Sequence, residues 1–221
     1  MTSAKGLEGV VVATTNISHV FGEEGRLVYS GYEISELAGR ATFEEVCFLL
    51  WKGRLPKRSE LDELQRVMRL HRELPAAAVA TLRAMPRNSG PMDVLRTVAS
   101  AAGTALPING TPTFQQAVTL TALFPTMVAA FQRLRNGKEP LAPDPHLGHA
   151  ANYLYMLSGE VPAQHHVDSL DTYLVLLADH GMNASTFTAR VIASTGSDLT
   201  SCVVGAIAAL KGPAHGGATY A

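Results

Sequence analysis

At 221 residues and 47% hydrophobic content, the chain is long enough to bury a substantial core. Eighteen basic residues against nineteen acidic ones leave a formal charge of −1, which excludes recruitment of nucleic acid or an anionic membrane by bulk electrostatics and requires any anionic ligand to meet a local site. The N-terminus has neither the hydrophobic stretch nor the small-residue cleavage pattern of an export signal. Cys47 and Cys202 fall in apolar helical patterns, which predicts buried, reduced thiols in a cytoplasmic protein.

In chain order, the one hairpin candidate is "GRLVYSGYEISELAG", with a short strand at Leu27 to Tyr29 between Gly25 and Gly31. Helical signals then dominate. Thr42 forms a capping box with Glu45 ahead of Val46, Phe48, Leu49, Leu50 and Trp51, and Gly53 closes that helix. Ser59, with Asp62, is expected to open the next. Further helices are expected at about 76–85, 92–102, 113–134, 146–157, 164–178, 184–194 and 198–211. Within "FQQAVTLTALFPTMVAAF" there is no charge, but two glutamines, three threonines and Pro125 argue for a buried helix kinked at the proline rather than a membrane span.

The last helix, "SDLTSCVVGAIAALKGP", is capped in this reading by Ser197, complemented at its C-terminus by Lys211 and stopped by Gly212 and Pro213. Being apolar on nearly all sides, it is expected to be covered all round and to end at a buried site, with small residues admitting another helix within the domain or across a subunit interface. His215 follows in "GPAHGG". It is either a reactive group where backbone can crowd a ligand or an ordinary loop histidine. A second polar group, "LLADHGMNASTFTAR", interrupts an apolar run with Asp179, His180 and Asn183. Such groups need hydrogen-bond partners, which a ligand or the fold itself can supply. His146 and His149, or His165 and His166, lack a convincing set of partner ligands, so no metal site is expected and these are read as solvated helix residues.

Taken together, "LADHGMNASTFTARVIASTGSDLTSCVVGAIAALKGPAHGG", "GLEGVVVATTNIS", "TFEEVCFLLWKGRLP", "PMDVLRT" and "NYLYMLSGE" resemble, in the same order, the citrate synthases of bacterial and archaeal type. The resemblance covers essentially the whole chain. It implies a mainly α fold in which residues 1–221 form the N-terminal portion of the large helical domain, a homodimer packed through helices, and condensation of acetyl-CoA with oxaloacetate. Acetyl-CoA is there a substrate, and no cofactor is implied.

By the same resemblance, His215 is the histidine that hydrogen-bonds the thioester oxygen as the enol or enolate forms. His180 and Asn183 contact oxaloacetate, and Ser185 orients His215. A donor placed where negative charge develops lowers the barrier to removing a methyl proton. The chain departs from the family in two places. Gly90 stands where a histidine is common, and the sequence ends at Ala221, before the small domain, the second histidine, the aspartate base and the carboxylate-binding arginines. The resemblance therefore implies an incomplete synthase, inactive alone. Two alternatives stay open: a 2-methylcitrate synthase using propionyl-CoA, and a noncatalytic relative acting as a helical interaction module.

Overall fold

The computed structural model describes residues 11, 13–106 and 112–216. The start of the N-terminal motif, residues 6–10 and 12, and the residues after Gly216 lie outside this range. The fold is mainly α: ten helices and one small sheet are found among the described residues. The sheet is an antiparallel meander of β1 (Ser18–Phe21), β2 (Arg26–Tyr29) and β3 (Tyr32–Glu33). Ser18 pairs with Tyr29, and Tyr29 in turn with Tyr32. Thus the expected strand exists, extended by one residue, and β1 is an addition to the sequence reading.

Helices follow as α1 (Ile34–Leu37), α2 (Phe43–Lys52), α3 (Arg58–Leu70), α4 (Ala76–Ala84), α5 (Pro91–Gly103) and α6 (Phe114–Arg135). The chain continues through α7 (His149–Ser158), α8 (Gln164–Leu176), α9 (Ala184–Ser194) and α10 (Leu199–Leu210). The capping box at α2 is as expected: Thr42 Oγ1 accepts the Glu45 N–H, and the Glu45 carboxylate accepts the Thr42 N–H at 2.8 Å. Gly53 ends the helix in the left-handed region, φ 73°.

Two expected caps are displaced. α3 starts after Lys57, not at Ser59, because the Glu60 carboxylate takes the Lys57 N–H at 2.8 Å and is itself paired with Arg54. At α10 the cap is Asp198 rather than Ser197, its carboxylate accepting the Ser201 N–H at 2.9 Å. A full negative charge suits the positive end of the helix better than a hydroxyl. Lys211, placed to complement the other end, also reaches across to both carboxylate oxygens of Asp93 at 2.6 and 2.8 Å.

α6 runs without interruption through Pro125, whose missing N–H leaves the Thr121 carbonyl without its helical donor. By length and composition it could cross a bilayer, yet 56% of its most apolar stretch is buried by the rest of the chain. Leu123, Met127 and Phe131 of α6 meet Val94 and Val98 of α5 and Leu82 of α4 in the main core. A second core joins Tyr29 and Leu37 to Val46 and Leu49 of α2 and Val175 of α8. Cys47 and Cys202 are buried free thiols, and burial pushes both thiol pKa values up.

A buried polar group ties α2, α7 and α8 together. The Glu44 carboxylate accepts the His149 N–H at 3.1 Å at the start of α7, while buried Arg72 donates to the Leu147 carbonyl at 2.8 Å. Asn152 accepts the Asp144 N–H at 2.8 Å. These ties hold residues 144–148 as a loop and delay α7 from the expected 146 to His149. His149 is therefore not solvated as expected: it is 4% exposed and its ring lies 5.1 Å from that of Phe43. Burial, with Arg72 nearby, lowers its pKa to about 3. Asp171 accepts the Phe43 N–H at 3.1 Å, and burial, followed by the nearby Glu44 and Glu45 carboxylates, raises its carboxyl to about 6.

Candidate active site

The antiparallel hairpin of α9 and α10 builds the site. Its seam is narrow because Gly205 faces Ile192: a Cβ at 205 would fall 2.2 Å from Ile192 Cδ1. Such packing brings the first turn of α9 to the same end as the residues that follow α10. There His215 Nε2 lies 3.0 Å from Ser185 Oγ. The His215 N–H is held by the Gly212 carbonyl at 2.9 Å. Gly216 admits close backbone approach, but to the protein itself: a Cβ there would sit 2.7 Å from the Leu210 carbonyl oxygen.

Asn183 is the N-cap of α9. Its Oδ1 accepts the Thr186 N–H at 2.9 Å and is also 2.7 Å from Ser185 Oγ. Because a backbone N–H can only donate, that atom is the amide oxygen, and the Ser185 proton must point at it. Ser185 Oγ then has only a lone pair for His215, so Nε2–H is the donor in this bond. The resting order is His215 to Ser185 to Asn183. In a neutral imidazole this leaves Nδ1 without a proton. Donation from Nδ1 to a ligand then requires the Ser185 hydroxyl to turn its proton toward Nε2 or a second proton on the ring.

The structure thus joins His215, Ser185 and Asn183, and leaves the Asn183 amide NH₂ available. His180 is close in sequence but not joined to them. Its side chain is exposed, and among the described residues its ring makes no hydrogen bond. Asp179, beside it, is satisfied by the fold: Ser18 Oγ donates to its carboxylate, which also accepts the Gly181 N–H at 2.8 Å. Tyr29, 0% exposed, places its hydroxyl against the Asp179 N–H at 3.1 Å, the Asp179 carbonyl at 3.0 Å and the Leu176 carbonyl at 3.2 Å. Sequence reasoning missed both Tyr29 and Ser18. Each meets its partner across more than 140 residues, and no local pattern marks that.

The helix expected to be covered all round is covered only in part. Cys202 and Ile207 of α10 are buried, Leu210 is exposed, and α9 has no buried residue. Leu177, 60% exposed, and Val191, 48%, are further exposed apolar side chains on this part of the chain. Among the described residues, no group of three or more His, Cys, Asp or Glu side chains gathers that could hold a metal. An apolar cavity of about 220 Å³ between α4, α5 and α6, lined by Leu82, Met92, Val98 and Phe131, is separate from His215 and carries no titratable group.

A family profile described as citrate synthase, C-terminal domain, matches residues 6–221. The chain belongs to the citrate synthase family. It is 45% identical over 219 residues to a 2-methylcitrate synthase of Mycobacterium tuberculosis, covering 98% of this chain and 56% of that protein. It is 43% identical to a citrate synthase of Haloferax volcanii, covering 97% and 59%. The fold matches the citrate synthase of Thermotoga maritima with a TM-score of 0.86 at 43% identity, over 97% of this chain and 57% of that one. It also matches citrate synthase from Thermoplasma acidophilum, in ternary complex with carboxymethyl coenzyme A and oxaloacetate, with a TM-score of 0.91 at 27% identity, over 98% and 58%. The chain therefore spans less than three-fifths of the length of these relatives.

Proposed function

We propose that this chain supplies the enol-stabilising and oxaloacetate-contacting part of a citrate synthase active site, in a homodimeric cytoplasmic enzyme that converts acetyl-CoA, oxaloacetate and water to citrate and CoA. The observation that carries this reading is the hydrogen bond from His215 to Ser185, which seats the histidine of GPAHGG on the first turn after the DHGMN break. When a base removes a methyl proton from the thioester, charge accumulates on the carbonyl oxygen. Once the Ser185 hydroxyl turns its proton toward Nε2, His215 meets that oxygen with an Nδ1–H, and Ser185, in the first turn of α9, holds the ring by its other nitrogen.

His180 and the free amide of Asn183 offer hydrogen bonds to the dicarboxylate. The base that takes the methyl proton and the charged groups that clamp the carboxylates come from further polypeptide, so the chain alone does not turn over. The exposed apolar side chains of Leu177, Val191 and Leu210 support association with a second copy or with that further part. The 45% identity to a 2-methylcitrate synthase supports a second reading, in which propionyl-CoA replaces acetyl-CoA.

CoA release tests the reading. The chain is assayed with oxaloacetate and either acyl-CoA, alone and mixed with the separately produced C-terminal part of a related synthase. The expected result is no release alone, restored release in the mixture and its loss in His215→Ala. Release by the mixture that is unchanged in His215→Ala would overturn the role given to His215. A higher kcat/KM for propionyl-CoA would select the 2-methylcitrate reading.

A further inference from the structure

The break between α8 and α9 is fastened from far away in the chain. Tyr29 is fully buried at the end of β2, and its hydroxyl reaches the C-terminal carbonyl of Leu176 and both backbone groups of Asp179, 150 residues distant. A phenol has one proton and two lone pairs, so it can accept the Asp179 N–H while donating to one of the two carbonyls at a time. The last carbonyls of a helix have no partner within it, and here one gains a partner from the sheet. Ser18, which pairs with Tyr29 across the β1–β2 register, donates to the Asp179 carboxylate. The Asp179 N–H and Oδ1 are thus held, and its carbonyl shares the phenol proton with that of Leu176, while the adjacent His180 side chain faces solvent.

We infer that Tyr29 and Ser18 are positioning residues for His180: the sheet immobilises the backbone at Asp179 so that the next side chain projects from a fixed point. A ligand-contacting group gains precision when its support is already locked in place. Burial raises the Tyr29 pKa, in keeping with a phenol that stays protonated as a donor. What His180 contacts rests on the function proposed above. The clamp itself does not.

The 221-residue chain is compared with its Tyr29→Phe, Ser18→Ala and Ser18→Thr variants by NMR, following amide hydrogen exchange and the His180 ring signal during an oxaloacetate titration. Tyr29→Phe is expected to speed exchange at Asp179 about tenfold, the consequence of leaving a buried N–H without an acceptor. It should shift or broaden the His180 ring signal while leaving His71, His146 and the α3 amides unchanged. Ser18→Ala should act in the same direction, with Ser18→Thr restoring the wild-type signal. Ser18 variants keep the idea testable if Tyr29→Phe does not fold.

Unchanged Asp179 exchange and His180 signal, or equal acceleration throughout α3, would overturn the inference. A His180 ring that ignores oxaloacetate in the wild type, combined with the local effects above, would uphold the clamp and count against the proposed substrate contact.

Discussion

Nε2 of His215 donates to Ser185 Oγ at 3.0 Å, and the direction of that bond is set two residues before the serine, by the cap that Asn183 makes on α9. The serine is therefore a relay with a defined polarity. Without substrate, the ¹⁵N spectrum of His215 is expected to show a protonated Nε2 and a bare Nδ1. In Ser185→Ala the ring loses this constraint and the two tautomers mix. The same variant should lower CoA release by the complemented enzyme about tenfold to a hundredfold, within the range for general acid–base groups. A single unchanged tautomer in Ser185→Ala would count against the relay.

Asn183 has two duties that substitution can separate. Asn183→Ala removes the cap and should cost about 1 kcal/mol of stability, read as a lower urea midpoint. Asn183→Asp keeps an acceptor for the Thr186 N–H and the Ser185 proton, so stability is retained. Oxaloacetate binding is expected to fail in Asn183→Asp, because a carboxylate then faces a dicarboxylate and the amide donor is gone. Equal binding by Asn183→Asp and wild type would remove Asn183 from the site.

Gly216 is constrained by backbone. The Cβ of Gly216→Ala would stand 2.7 Å from the Leu210 carbonyl oxygen, which cannot swing aside as the tip of a side chain can. The segment carrying His215 must move instead. The expected outcome is loss of the tautomer signature of His215 and a penalty of about 1–3 kcal/mol, typical of overpacking. A thermal melt and the histidine spectrum of the variant check both parts. Wild-type values in both would show that the chain end is not held against α10.

Asp171 and His149 make opposing contributions to stability as pH changes. Burial raises Asp171 to about 6, so its contribution is fully present below its ordinary value near 3.8 and is lost as pH rises through 6. His149, lowered to about 3, contributes above its ordinary 6.5 and loses that contribution as pH falls toward 3. Between about pH 4 and 6 the slopes partly cancel. Asp171→Asn retains an acceptor for the Phe43 N–H but not the titration. It should gain about 1 kcal/mol above pH 6, after allowance for partial exposure, and lose stability more steeply on acidification. Urea midpoints across that range measure it, and a slope no steeper than wild type would contradict the assignment.

What the sequence made legible was whatever closes over a few residues. The Thr42–Glu45 box, Gly53 and the span of α9 need only their neighbours, and the family motifs brought Asn183, Ser185 and His215 into one expectation. Less legible was the start of α7, where Arg72 and Asn152 divert the chain before His149. His149 itself reads as a polar helix residue until Phe43 and Glu44 of another helix enclose it. Caps also moved where a carboxylate competed with a hydroxyl, as Asp198 did with Ser197. In each case the deciding partner was either remote in the chain or a stronger acceptor close by.

The separation of 150 positions between Tyr29 and Asp179 also bears on the order in which the molecule assembles. α9 and α10 are sequence neighbours joined by four residues, 195–198, so their docking closes a short loop at little entropic cost. The sheet's attachment to the α8–α9 break closes a far longer one. During refolding, protection at the α9–α10 seam should therefore precede protection at Asp179. The histidine of the C-terminal loop would find Ser185 while His180 was still borne on an unanchored segment, making assembly of the N-terminal sheet the step that completes this chain's share of the site.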